Sequence, residues 1–159
     1  MQLRPLNKPI LISFIVVSLL GFFDAVYLTI EHYLGRIPPC TVVSGCESVL
    51  TSSYATILGI PVALIGTIFY FTVFTLAMLY LDTKKDILIK LGILLSFCGL
   101  CASIGFVYLQ LFVIKAICLY CMGSAITSTL LFVFSAYILK KYRISESSTQ
   151  TPISSEGLN

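Results

Sequence analysis

Four long apolar runs separated by polar breaks organise this chain, at residues 9–30, 61–81, 87–114 and 117–139. Each reaches or exceeds the roughly 20 residues that a helix needs to cross a ~30 Å hydrocarbon layer at ~1.5 Å per residue. The breaks differ in kind. Residues 31–60 form one long polar connection, 82–86 a short turn, and 115–117 a tighter one. The pattern predicts an all-α integral membrane protein: a four-transmembrane-helix bundle with a long external loop between helices 1 and 2. There is no internal repeat.

Composition removes the soluble alternative. The chain has 159 residues, 58% of them hydrophobic and 11% charged, with a mean hydropathy of +1.01. Four buried helices of this composition leave too little polar surface to cover a soluble core. The first run follows Arg4 and Lys8, as the core of a signal peptide would. It exceeds the roughly 7–15 residues of such a core and has no small-x-small cleavage pattern, so it is retained as the first spanning helix.

Charge then orients the bundle. With the N-terminus in the cytoplasm, Arg4, Lys8, Lys84, Lys85, Lys90, Lys140, Lys141 and Arg143 lie inside, and only Arg36 and Lys115 lie outside. This positive-inside bias over short loops predicts two cytoplasmic termini. The net charge of +3 therefore reports topology rather than nucleic-acid binding. Residues 1–143 are expected to form the membrane domain. Residues 144–159, rich in Ser and Thr without apolar periodicity, are expected to be a disordered cytoplasmic tail.

Chemistry enters with six cysteines in three pairs. Cys40 and Cys46 lie in the external loop, where Pro38-Pro39 stiffens the approach and Ser44-Gly45 lets the chain turn back. Five residues between them permit a disulfide, which persists outside a bacterial cytoplasm. Taken alone, that bridge would read as a passive staple. Residues 47–54 suggest a short helix on the membrane, with Val49 and Leu50 toward lipid. Pro61 suits the first turn of the second spanning helix.

Cys118-Leu-Tyr-Cys121 opens the fourth helix, on the same outward side. A helix N-terminus favours the Cys118 thiolate, and Cys121 lies one turn deeper, placed to meet something dissolved in the bilayer. Two dithiols on one membrane face point to disulfide exchange. Cys98 and Cys101 share the CxxC spacing but fall mid-helix, among Ser96, Gly99, Ala102, Ser103 and Gly105. There, cysteine is expected to pack as a small hydrophobe at a helix contact, with an auxiliary redox role as the alternative. Asp24, an intramembrane carboxylate, is a functional candidate, with bonding to nearby backbone or Tyr27 as the plainer account. His32 is expected to be structural, with proton delivery as its functional alternative.

These residues resemble the bacterial homologues of the vitamin K epoxide reductase family, DsbB-like in role. The resemblance rests on the ordered set Asp24 to Tyr33 closing helix one, Cys40-x5-Cys46, Ser52, Gly59-Ile-Pro61 and Cys118-Leu-Tyr-Cys121. It implies a four-helix core around a quinone, ubiquinone or menaquinone, as electron acceptor. It implies that Cys121 lies nearest the quinone, Cys118 exchanges with the loop, Cys40 and Cys46 shuttle electrons, and Ser52 bonds a quinone oxygen. The implied place is the bacterial inner (plasma) membrane, with the site on the periplasmic side. The electron donor is then a separate thioredoxin-like, DsbA-type periplasmic protein.

Two positions depart from the animal members. Val62 stands where they carry a side-chain amide near the quinone, and Ala125 where they carry a tyrosine four residues past the CxxC. A plain quinone is thus expected rather than vitamin K epoxide. The readings from other classes are a membrane metal-binding protein with cysteine pairs as soft ligands, and a structural tetraspan braced by disulfides. The first lacks Met and His clusters, the chain having three Met and one His.

Overall fold

The computed structural model describes residues 8–38 and 45–147; Cys40 lies outside the described residues. The chain runs as α1 (Lys8–Tyr33), α2 (Cys46–Leu50), β1 (Thr56–Ile57), β2 (Ile60–Pro61), α3 (Val62–Thr83), α4 (Asp86–Tyr108), a π-helical continuation of α4 (Leu109–Ile114), and α5 (Leu119–Ser147). The four long helices coincide with the four apolar runs, and all are long and apolar enough to cross a membrane. This is a multi-pass, all-α membrane bundle.

The helices form a four-sided ring. α1 packs mainly on α3 and α5, and α4 on the same two. One core cluster lies between them, built on Phe14, Ala25, Tyr70, Val73, Ala77 and Leu131. Gly21 is needed where α1 meets α3, because a Cβ there would overlap the Tyr70 ring. Lipid gives no hydrophobic push between helices, so close packing and interhelical hydrogen bonds hold such a bundle. Here hydroxyls supply those bonds. Thr29 meets Thr67 at 3.2 Å, Ser135 donates to Ser96 at 2.9 Å, and Ser103 meets Ser128 at 2.6 Å. Tyr70 bridges α3 to α5, donating to the Ser124 carbonyl at 2.8 Å and reaching the Thr127 hydroxyl at 2.8 Å.

Three expectations need adjusting. The short loop helix ends at Leu50 rather than residue 54, and Val49 is buried against Cys118 instead of facing lipid. Its apolar side finds a protein partner because the loop folds back onto the α4–α5 turn. Residues 56–61 pair as a minimal hairpin, with Leu58 and Gly59 both at positive φ (53° and 81°). Positive φ at both central residues is what the tight two-residue turn requires. Finally, α5 runs on to Ser147, so residues 144–147 of the expected tail are helical. The rest of that tail lies outside the described residues.

Candidate active site

α4 does not end as an ordinary helix. Its last turn widens into the π-helical segment, and Lys115 closes it in the left-handed conformation at φ 56°. The Gln110 carbonyl accepts the Ala116 N–H at 3.1 Å. Widened turns of this kind cluster at functional sites. This one turns the chain so that the buried Gln110 side chain accepts the Cys118 backbone N–H at 2.9 Å. Cys118 sits one residue before α5, and its carbonyl accepts the Met122 N–H at 3.0 Å. It therefore occupies the N-cap position, with the free N–H groups of the first turn around its sulfur.

Both cysteines of this motif carry free thiols, Cys118 fully buried and Cys121 half-buried. The Cys121 thiol hydrogen-bonds to Cys118, which favours the Cys118 thiolate. Burial opposes that effect, and the Cys121 and Tyr120 N–H groups reinforce it, so Cys118 is lowered from 9.0 to about 7. A low-pKa thiol at a helix N-terminus is the form that attacks and exchanges disulfides near neutral pH.

The connection between α1 and α3 docks on this thiol. Cys46 is disulfide-bonded and buried, and it forms one apolar cluster with Val49 and Cys118, with Ile114, Ala116 and Cys121 packed around it. Gly45 permits the approach. A Cβ there would lie 2.6 Å from the Ile117 carbonyl oxygen and 2.7 Å from the Ile117 nitrogen, both rigid backbone atoms.

Cys121 faces the other way. It lines a half-open cavity of about 340 Å³ walled by all four long helices and by the loop through Leu50 and Ser52. Cys118 does not line it. The wall is mainly apolar, with Leu28, Val62, Phe69 and Phe106, and carries a few polar groups, among them Asp24 and Gln110. Apolar concavity with sparse polar contacts is the usual form of a small-molecule site, and it suits a lipid-soluble ring with polar oxygens. The two cysteines thus divide the site: one touches the loop, the other the cavity.

The family model for the vitamin K epoxide reductase family matches residues 12–136, spanning all four long helices and this whole site. The chain belongs to that family. It is accordingly a membrane redox enzyme of the thiol oxidoreductase kind, from a family whose proteins use quinones as redox partners. A comparison with curated proteins finds no match.

Within this vitamin K epoxide reductase family member, the remaining expected positions fall unevenly. Ser52 lines the cavity, but its hydroxyl donates to the Val49 carbonyl at 2.7 Å, so its proton is committed to the backbone. Val62 and Ala125 both line the wall and offer no donor. His32 lines the cavity while remaining exposed. Cys98 and Cys101 are free and exposed on α4 rather than packed at a helix contact, and of the two Cys98 lines the cavity. From that stretch Ser96 and Ser103 hydrogen-bond to α5, and Gly99 packs against the Phe69 ring of α3. Asp24 does not bond its neighbours as the plainer account expected, since its buried Oδ2 has no hydrogen-bond partner among the described residues.

Gln110 is the residue that sequence reasoning passed over. A lone amide in an apolar run, eight residues before Cys118, was the available signal. Its meaning depends on the π-helical turn, which periodicity does not announce.

Proposed function

We propose that this protein is a quinone-dependent thiol oxidase that reoxidises a thioredoxin-like, DsbA-type partner and so supports disulfide formation outside the cell membrane. The observation that carries the reading is the contact chain: disulfide-bonded Cys46 packs on Cys118, and Cys121, bonded to Cys118, opens on the cavity. The loop disulfide, taken as Cys40–Cys46, accepts two electrons from the partner's dithiol, which becomes a disulfide. The resulting loop thiols reduce a Cys118–Cys121 disulfide by thiol–disulfide exchange, restoring the loop bridge. Re-forming the Cys118–Cys121 bond releases two electrons and two protons, which a quinone in the cavity takes up as it becomes a quinol.

The chain's own residues shape these steps. Gln110 and the α5 N-terminus hold Cys118 toward the loop as a thiolate. The apolar wall keeps bulk water from Cys121. Val62 and Ala125, both without donors, favour ubiquinone or menaquinone over vitamin K epoxide. The positive-inside bias supports two cytoplasmic termini, a bacterial inner membrane and a site on its periplasmic face. Among the described residues no group of three His, Cys, Asp or Glu side chains is arranged to hold a metal ion, so the soft-metal alternative finds no ligand set there.

The test compares two electron donors in one preparation. A double Cys40→Ser, Cys46→Ser variant should fold and bind a short-chain quinone. It should lose oxidation of the thioredoxin-like protein and keep turnover with a small dithiol, which reaches Cys118 directly. Undiminished oxidation of the protein partner by this variant removes the shuttle. Failure of the native protein to reduce any quinone removes the reading as a whole.

A further inference from the structure

The steps above assign no task to the one acid on the cavity wall. Asp24 comes from α1 and lines the same cavity as Cys121, and no lysine or arginine lines it with them. Its Oδ2 is sealed from solvent and is the one such side-chain atom without a hydrogen-bond partner among the described residues. A carboxylate in a spanning helix costs about 2.5–3.5 kcal/mol even on lenient insertion scales, and an unsatisfied buried acceptor adds to that. Such a group is retained for a use.

Three of the other cavity hydroxyls are committed to the backbone, while Tyr54 lines the cavity from an exposed position in the loop. Tyr70 donates to the Ser124 carbonyl, Ser52 to the Val49 carbonyl, and Ser128 to the Ala125 carbonyl at 3.0 Å. None of these has its proton free for a ligand. Asp24 also lies within electrostatic reach of Cys118, Cys121 and Tyr70.

We propose that Asp24 is the proton donor of the quinone site, delivering its carboxyl proton to a quinone carbonyl oxygen as the Cys118–Cys121 disulfide closes. The inference rests on the cavity being a quinone site. The balance is complete: forming one S–S bond breaks two S–H bonds and yields two electrons and two protons, and making quinol from quinone consumes two of each. Asp24 gives its proton to one oxygen and regains the proton lost by Cys121. The second proton is drawn from solvent, to which Cys118 released its own on becoming a thiolate. Proton transfer by a positioned acid is worth roughly 100-fold or more in rate.

The titratable groups facing Asp24 are Tyr70 from α3 and Cys118 and Cys121 at the start of α5, while Cys98 from α4 and His32 line the same cavity. A pH profile must therefore be compared across variants rather than read from the native protein alone.

The decisive variants are Asp24→Asn, which keeps shape and loses the proton, and Asp24→Glu, which restores an acid. Short-chain ubiquinone should bind Asp24→Asn with native affinity, and a small dithiol should still reduce its Cys118–Cys121 disulfide. Single-turnover quinol formation should fall about 100-fold and lose its solvent isotope effect, and Asp24→Glu should recover part of both. A second readout needs neither quinone nor a folded variant. The chain has three aspartates, Asp24 and the two that flank the α3–α4 turn, Asp82 and Asp86. Infrared spectra of native protein carrying isotope-labelled aspartate should show a protonated-carboxyl stretch near neutral pH. No such band, or quinol formation in Asp24→Asn within about two-fold of native at every pH, overturns the proton-donor role. Native protein that neither binds nor reduces quinone refutes the underlying quinone reading instead.

Discussion

Gln110→Leu isolates the contribution of the π-helical turn to the site. The native side chain is only 2% exposed, and its Oε1 accepts the Cys118 N–H at 2.9 Å. Leucine has similar bulk, so the cavity wall should remain filled and the loss should be mostly polar. Removing the acceptor leaves a buried backbone donor unpaired, at a cost of about 1–3 kcal/mol. That cost falls on the α4–α5 turn, where Cys118 meets the loop. Local opening of the turn should become easier by the same amount, a factor of about 5–150 in amide exchange. The assay is hydrogen exchange of the protein in detergent or lipid discs, read at the peptide spanning residues 115–121, beside the peptides of α1 and α3 as controls. Thiol-disulfide exchange at Cys118 should slow in parallel, while Gln110→Glu, which keeps an acceptor oxygen, should recover protection. Equal exchange in native protein and Gln110→Leu, with equal Cys118 reactivity, would refute the claim that this hydrogen bond anchors the motif.

Three further outcomes follow from the same geometry. Alkylation of Cys118 should rise with pH through an inflection near the value of about 7 to which it is lowered from 9.0, and Cys121→Ala should move that inflection upward. The sign follows from which form is favoured: a depressed folded-state value stabilises the thiolate, a contribution complete above about 9 and lost as pH falls through about 7. An unmoved inflection in Cys121→Ala would show that the helix N-terminus alone sets it. Gly45→Ala places a methyl against the Ile117 backbone, so the loop should undock. Protein-partner oxidation should fall by an order of magnitude or so, roughly the price of 1–3 kcal/mol of overpacking, with small-dithiol turnover largely kept, as steady-state rates with the two donors will show. Cys98→Ala and Cys101→Ala, at exposed positions, should change thermal stability by no more than about 0.5 kcal/mol and keep most quinone reduction, whereas Cys121→Ala should abolish it.

The sequence by itself determined the bundle. Four runs long enough to span a bilayer leave helices as the fitting solution, because every backbone N–H and C=O must be satisfied within its own segment. The cysteine spacing placed a dithiol at the mouth of the fourth run, and that mouth is where Cys118 lies. What the pattern misjudged were matters of facing. Val49 reads as lipid-facing until the loop folds back on Cys118, and Cys98 and Cys101 read as contact residues until the rotation of α4 brings Cys98 to the cavity wall and turns Cys101 outward. Helix periodicity in a membrane gives little guidance here, since core and lipid are equally apolar and the same side chains suit both. The sequence already set Cys118 toward the surface and Cys121 one turn deeper, and tertiary structure supplied the docked loop and the cavity that they meet. Tertiary structure also set Gln110 against the Cys118 N–H, through a π-helical turn with no local sequence signature. It left Asp24 half-buried on the cavity wall with its sealed Oδ2 unpaired, because whether a lone carboxylate finds a partner depends on side chains contributed by other helices.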